Sequence, residues 1–188
     1  MLPVTLRTAR LELSVPTASD APAIYDACQD PAIGHFTTVP SPYLRAYADE
    51  FVAQTAERWD DFSDATWAIR RDGALSGMIG LHHLQETGSA ELGFWVAAEA
   101  RGQGIVREAS EAVIDWGFST DALALERLEW RAAVGNTASA RAARALGFRF
   151  EGTLRRALRN GHGERSDGWI ASLLATDDRT PQEWPIAL

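Results

Sequence analysis

Along this chain the hydrophobic positions change period several times, and each change marks an element. Leu11, Leu13 and Val15 alternate with Glu12 and Ser14, the period of two of a half-buried strand, and Pro16 stops it. Ser19 and Asp20 then cap a helix that carries Ala23, Ile24 and Ala27 inward and ends near Asp30-Pro31. After Pro42, Leu44, Tyr47, Ala48, Phe51, Thr55 and Trp59 fall at three- and four-residue spacing, which predicts a second helix. Thr66 to Arg70 and Ser76 to Leu84 read as strands joined at Asp72-Gly73, a favoured hairpin pair, and Ala90 to Val96 as a third. The period then returns to helical, with Ile105, Ala109, Ala112, Val113 and Trp116 on one face. A strand over Arg127 to Ala133, a helix over Thr137 to Leu146, and closing strands at Phe148 to Glu151 and Trp169 to Ala175 complete the chain. This order predicts an α/β fold of the α+β kind. A mixed, mostly antiparallel central sheet of about seven strands has helices on both faces.

No repeat, linker or low-complexity block interrupts the 188 residues, so the expectation is one domain over residues 1–188. Hydrophobic residues make up 46%, enough for a sizeable core and far from a disordered composition. With 18 basic and 26 acidic residues the net charge is -8, and every cation is an arginine. That balance argues against direct nucleic-acid or membrane-surface binding and favours a cationic partner, such as a basic peptide or a polyamine. The single cysteine, Cys28, excludes an internal disulfide and a cysteine zinc cluster. No apolar stretch approaches membrane-span length, so the chain reads as cytoplasmic, with no metal expected.

The most informative segment runs from the strand Glu91 to Val96 into Arg101-Gly102-Gln103-Gly104-Ile105-Val106 and then directly into a helix. A strand, a glycine-bearing loop and a helix N-terminus together place successive backbone N–H groups at one spot, where the helix dipole favours an anion. Arg101 and Arg107 flank that spot with guanidinium groups suited to phosphate. The bland alternative is a tight turn into a helix. Downstream, Asn136 and Ser139 stand three apart and so share one helical face; the bland alternatives are a plain N-cap for Asn136 and a solvated or helix-packing hydroxyl for Ser139.

These segments resemble the GNAT superfamily of acyl-CoA-dependent N-acetyltransferases. Its pyrophosphate loop runs Arg or Gln, two residues, Gly, one residue, then Gly or Ala; Arg101 and Gly104 match, and Val106 departs from the last position. The run Arg127 to Arg131, Gly135 to Ser139 and Ala145 to Gly152 is similar to the Rim-type branch that acetylates ribosomal-protein N-termini. The resemblance implies acetyl-CoA as acyl donor. The backbone of Val96 and of Arg101, Gly102, Gln103, Gly104, Ile105, Val106 and Arg107 would hold it, with Asn136 on the pantetheine and Arg141 on a phosphate. Ser139 would protonate the leaving thiolate and Glu91 would assist deprotonation of the attacking amine, with Glu129, His82 and His83 as rivals. The seven tryptophans read mostly as core residues, with Trp67 or Trp95 as the candidates to line the acceptor cleft. The expected reaction is direct transfer of acetyl to a primary amine, a protein or peptide N-terminus first. A small-molecule amine acceptor and a non-catalytic acyl-CoA-binding module stay open beside it, and homodimers recur in the family.

Overall fold

The computed structural model describes residues 2–188. Its elements are β1 (Leu6–Arg7), β2 (Leu11–Ser14), α1 (Ala21–Ala27), α2 (Pro31–Phe36), α3 (Arg45–Asp60), β3 (Ala65–Arg71), β4 (Ala74–His82) and β5 (Ser89–Val96). They continue with α4 (Ile105–Phe118), β6 (Arg127–Ala133), α5 (Thr137–Ala145), β7 (Arg149–Arg159) and β8 (Arg165–Leu174). One sheet of eight strands, one more than expected, runs in the order β1-β2-β3-β4-β5-β6-β8-β7. Every neighbouring pair is antiparallel except β5 with β6. No helix of the described residues is long and apolar enough to cross a membrane.

Two apolar clusters hold the layers together. On one face Ala68 and Met78 of the sheet pack with Ile24, Cys28, Ile33 and Ala48 from α1, the turn after it, α2 and α3. On the other, Ile79, Leu81, Leu92, Leu128 and Trp130 pack with Ile105, Ala109 and Val113 of α4 and Ala140 and Ala143 of α5. Trp67 belongs to this interior and is fully buried, its ring 5.0 Å from that of Trp59 and 5.2 Å from that of Trp116. It therefore does not line a cleft, contrary to expectation; large aromatic rings are easily mistaken for site residues when their main work is filling the core.

Three boundaries differ from the pattern reading. Asp30-Pro31 starts α2 instead of merely ending α1: the Asp30 carboxylate accepts from the Ala32 amide at 2.9 Å, and Pro31 takes the first helical turn, where no N–H is needed. β4 stops at His82 because His83 adopts a left-handed φ of 64° and donates its amide to Asp64. His83 therefore does not occupy the opposite face of a strand. The closing hairpin is longer than expected, since a bulge between Leu154 and Leu158 masks the alternation of β7.

At the start of α1 an ion pair ties helix to sheet. Asp20, 6% exposed, receives Arg70 guanidinium nitrogens at 2.5 and 2.7 Å and the Thr17 amide at 2.7 Å. Burial alone would raise the Asp20 pKa, but Arg70 and Thr17 outweigh it and hold the carboxyl below its usual value. The stabilisation is therefore complete above the ordinary aspartate pKa, about 3.9, and is lost as pH falls through the lowered folded-state value. Asp20→Asn is expected to cost about 3 kcal/mol by leaving Arg70 unpaired, read as a lower urea midpoint at neutral pH.

Candidate active site

β5 and β6 share only three register positions: Ser89 with Arg127, Ala90 with Leu128 and Glu91 with Glu129. Beyond Glu91 they part. β5 stays paired with β4 as far as Val96, and β6 stays paired with β8 along its whole length. The facing edges beyond Glu91 therefore line an opening through the sheet. The Ala97 amide bonds to Ser76 on the β4 side, so the antiparallel alternation turns the amides of Phe94 and Val96 the other way, into the opening. Gly77 lets the strands close at this level, because a Cβ there would lie 2.3 Å from the Trp95 carbonyl oxygen.

At the end of β5 the chain enters the glycine loop. Gly102 and Gly104 have φ of 72° and 75°, which a side chain would strain, and Gly104 begins α4 with no side chain capping the helix. The first amides of α4, at Ile105, Val106 and Arg107, are thus left for an external acceptor. Val106 is half-buried and packs its side chain against the core cluster, and its backbone amide is unaffected by the departure from Gly or Ala. Glu108, in the same turn, would repel an anion. Its charge is offset by Arg10, whose Nε lies 2.7 Å away, and it accepts a hydrogen bond from the Thr8 hydroxyl at 2.5 Å. Burial would raise Glu108, and these partners together pull its pKa below the usual range.

Gln103 is braced from three sides: Arg71 donates to its side-chain oxygen at 2.5 Å, Arg10 to its carbonyl at 3.2 Å, and its own amide nitrogen donates to the Glu99 carbonyl at 2.7 Å. Arg10 and Arg71 went unnoticed in the sequence because they lie 93 and 32 positions from Gln103. Arg101 has a task other than the one expected of its side chain. It donates to the Val96 carbonyl at 3.2 Å and pairs with Asp30 at 2.6 Å, joining the loop to the start of α2. The Ala32 amide first, and then Arg101, hold Asp30 below its usual pKa against the upward pull of burial. Arg107 pairs with Glu111 on the helix surface, and Arg141 is exposed on α5.

Across the opening, Asn136 caps α5 by accepting the Ser139 amide at 3.3 Å. The capping reading of Asn136 therefore holds, and its carboxamide NH2 remains a donor. The Ser139 hydroxyl accepts the indole N–H of Trp130 at 3.0 Å. Glu91 sits where the strands part, flanked by Glu129 on β6 and His82 on β4. Burial raises the Glu91 pKa, Arg131 at 3.7 Å and the histidines offset part of this, and Glu129 adds to the rise. For Glu129, burial is outweighed by close bonds from Arg131 at 2.6 Å and Arg127 at 3.0 Å, so its pKa is lowered. Two carboxylates pushed apart in this way are suited to different tasks, and Glu91 is the better proton acceptor.

The His82 ring lies over two glycines, within 3.1 Å of where a Cβ would stand on Gly80 and 3.0 Å of one on Gly93, with Nδ1 3.4 Å from Asp64. Trp95 packs against the cluster under α1 to α3. Cys28 is buried and its thiol is pushed up to about 12 by burial, which leaves it protonated and unsuited to carrying an acyl group. Gly161, at the tip of the β7–β8 hairpin, exchanges backbone bonds with Gly34 at 2.8 Å and Ser41 at 3.0 Å. A Cβ on Gly161 would lie 1.8 Å from the Val39 carbonyl oxygen. Because α2 packs over the β3–β4 side and the hairpin extends from beyond β6, this contact crosses from one bank of the opening to the other.

Residues 10–149 match the Acetyltransferase (GNAT) domain family. The chain belongs to that family. YdaF of Bacillus subtilis (strain 168), provisionally named a ribosomal N-acetyltransferase, is 34% identical over 110 residues, 58% of this chain and 59% of that protein. A crystal structure described as a probable acetyltransferase superposes with a TM-score of 0.81 at 28% identity, covering 92% of this chain and 97% of the other. RimL, a ribosomal L7/L12 alpha-N-protein acetyltransferase in complex with coenzyme A, gives 0.82 at 18% identity, over 91% and 98% of the two chains; at that identity the match speaks for the fold. The protein is thus a GNAT acetyltransferase, as the loop and the Asn136–Ser139 segment led one to expect.

Proposed function

We propose that the protein transfers acetyl from acetyl-CoA to the N-terminal amine of a protein or peptide of the ribosomal type, without an acyl-enzyme. The observation that carries this reading is the parting of β5 from β6 directly after Glu91, opposite the Ser139-bearing helix and in line with the uncapped start of α4. The backbone of Arg101 to Arg107 receives the pyrophosphate, and Arg141, exposed on α5, binds a terminal phosphate. Asn136 offers its NH2 to the pantetheine. The Val96 amide, with Phe94 beside it, donates to the thioester carbonyl, where negative charge develops.

The amine nitrogen attacks the carbonyl carbon, and the carbon–sulfur bond breaks. The sulfur takes a proton from the Ser139 hydroxyl, which is restored from solvent, while the amine's proton passes to Glu91 directly or through water. Arg127 and Arg131 compensate Glu129, so Glu91 is the carboxylate left at the acceptor end of the opening to draw an ammonium group toward it. The Gly161 contact bridging the two banks favours an acceptor that enters end-on, and a chain terminus does so more readily than a side chain on a folded surface.

Thiol release from acetyl-CoA against three acceptors tests the proposal. These are peptides with a free N-terminus and no lysine, the same peptides N-blocked with one lysine, and a polyamine. Free N-termini are expected to give a kcat/KM at least about tenfold above both others, a difference of about 1.4 kcal/mol in transition-state binding. Preference for the polyamine would assign the site to small amines, and no turnover with any amine would favour an acyl-CoA-binding module.

A further inference from the structure

The Ser139 hydroxyl has a buried partner, the indole of Trp130. Trp130 lies on β6, 1% exposed, with its ring 5.5 Å from that of Trp184, whose own indole N–H is taken by the Phe148 carbonyl at 3.0 Å. Its Nε1 donates to Ser139 Oγ at 3.0 Å, and the backbone amide of the same serine is taken by Asn136. A serine hydroxyl has one hydrogen and two lone pairs, whereas an indole N–H can only donate. The bond therefore occupies a lone pair and leaves the hydroxyl hydrogen for another acceptor.

A water or an amide at that place could accept as well as donate and would compete for that hydrogen. The tryptophan cannot. A hydrogen bond received by the oxygen also polarises its O–H bond, and it gains strength as the oxygen becomes more negative during proton transfer. Because the indole is packed in the core, the oxygen it addresses is held in one place at no cost in reorganisation.

We infer that Trp130 is a positioning residue that makes Ser139 a directed proton donor, fixing its oxygen and reserving its hydrogen for the leaving sulfur. This rests on the role of Ser139 given above and is separable from it by experiment. Steady-state kinetics are measured for Trp130→Phe, Ser139→Ala and the double variant, with acetyl-CoA varied at saturating amine. Trp130→Phe is expected to lower kcat about tenfold while the KM for acetyl-CoA stays within about twofold, and in the Ser139→Ala background the same change is expected to alter kcat less than about twofold.

The same fold-loss in both backgrounds would show that the ring only supports packing and would overturn the inference, as would an undiminished kcat in Trp130→Phe alone. If Ser139→Ala keeps full kcat, the role of Ser139 falls and this inference with it; if only Trp130→Phe is silent, Ser139 stands and Trp130 does not. Should the phenylalanine variant not fold, benzothienylalanine at position 130 keeps the ring size without the N–H. It is expected to show the same tenfold loss, and full kcat in that variant would overturn the inference equally.

Discussion

Ser139→Ala is expected to lower kcat by about two orders of magnitude, with coenzyme A still binding, because a general acid placed at the leaving group is worth about 10²–10⁴ in rate. In the proposed site the pyrophosphate is held by the α4 N-terminus and its loop, which the substitution does not touch, so the KM for acetyl-CoA is expected to change little. A second consequence is structural. Removing the hydroxyl orphans the buried indole N–H of Trp130, which is expected to cost about 1–3 kcal/mol of stability. The two effects are told apart by measuring activity well below the melting temperature. An unchanged kcat between about pH 6 and 9, around the ordinary thiol pKa, would remove Ser139 from the mechanism.

Glu91→Gln carries the other large effect, again a loss of about 10² in kcat/KM, together with a change in the pH profile. A base acts only when deprotonated, so the wild-type rate is expected to rise with pH through the Glu91 pKa, which burial and Glu129 set above the ordinary glutamate value. In Glu91→Gln that limb disappears, while the limb reporting the amine's own deprotonation remains. Stability provides the control. A carboxyl whose folded-state pKa is raised favours folding when protonated and opposes it as pH rises through that value, so the glutamine variant is not expected to be less stable at neutral pH. A full rate in Glu91→Gln would send the proton to His82, which lies over Gly93, or to solvent.

What could be read from the sequence was local. The loop from Arg101 to Val106 announces itself by glycines before a helical period, and Asn136 and Ser139 by their spacing at a helix start. The order of elements along the chain, though not the spatial order of the strands, followed from the succession of periods, and β1 was missed because two residues show no alternation. Partners remote in sequence were not legible. Arg10 meets Glu108 and Gln103 only because the turn between β1 and β2 reaches the start of α4, and Asp30 meets Arg101 only because α2 begins there. Trp130 read as an ordinary core tryptophan, which it also is; its bond to Ser139 depends on how α5 lies on β6. The choice between Glu91 and Glu129 likewise depends on the arginines of β6, since in sequence both are simply strand glutamates.

The proposed chemistry requires the opening between β5 and β6, with the α4 N-terminus at its end, to be an acyl-CoA site. Thermal melts of the intact protein with acetyl-CoA, coenzyme A and ATP side by side test this without knowledge of the acceptor. At about a hundred times its dissociation constant, a ligand that binds only the folded state stabilises it by about 2.7 kcal/mol. Both CoA species are expected to raise the melting temperature and ATP is not. A shift with ATP equal to that with acetyl-CoA, or no shift with either CoA species, would contradict the assignment of the opening.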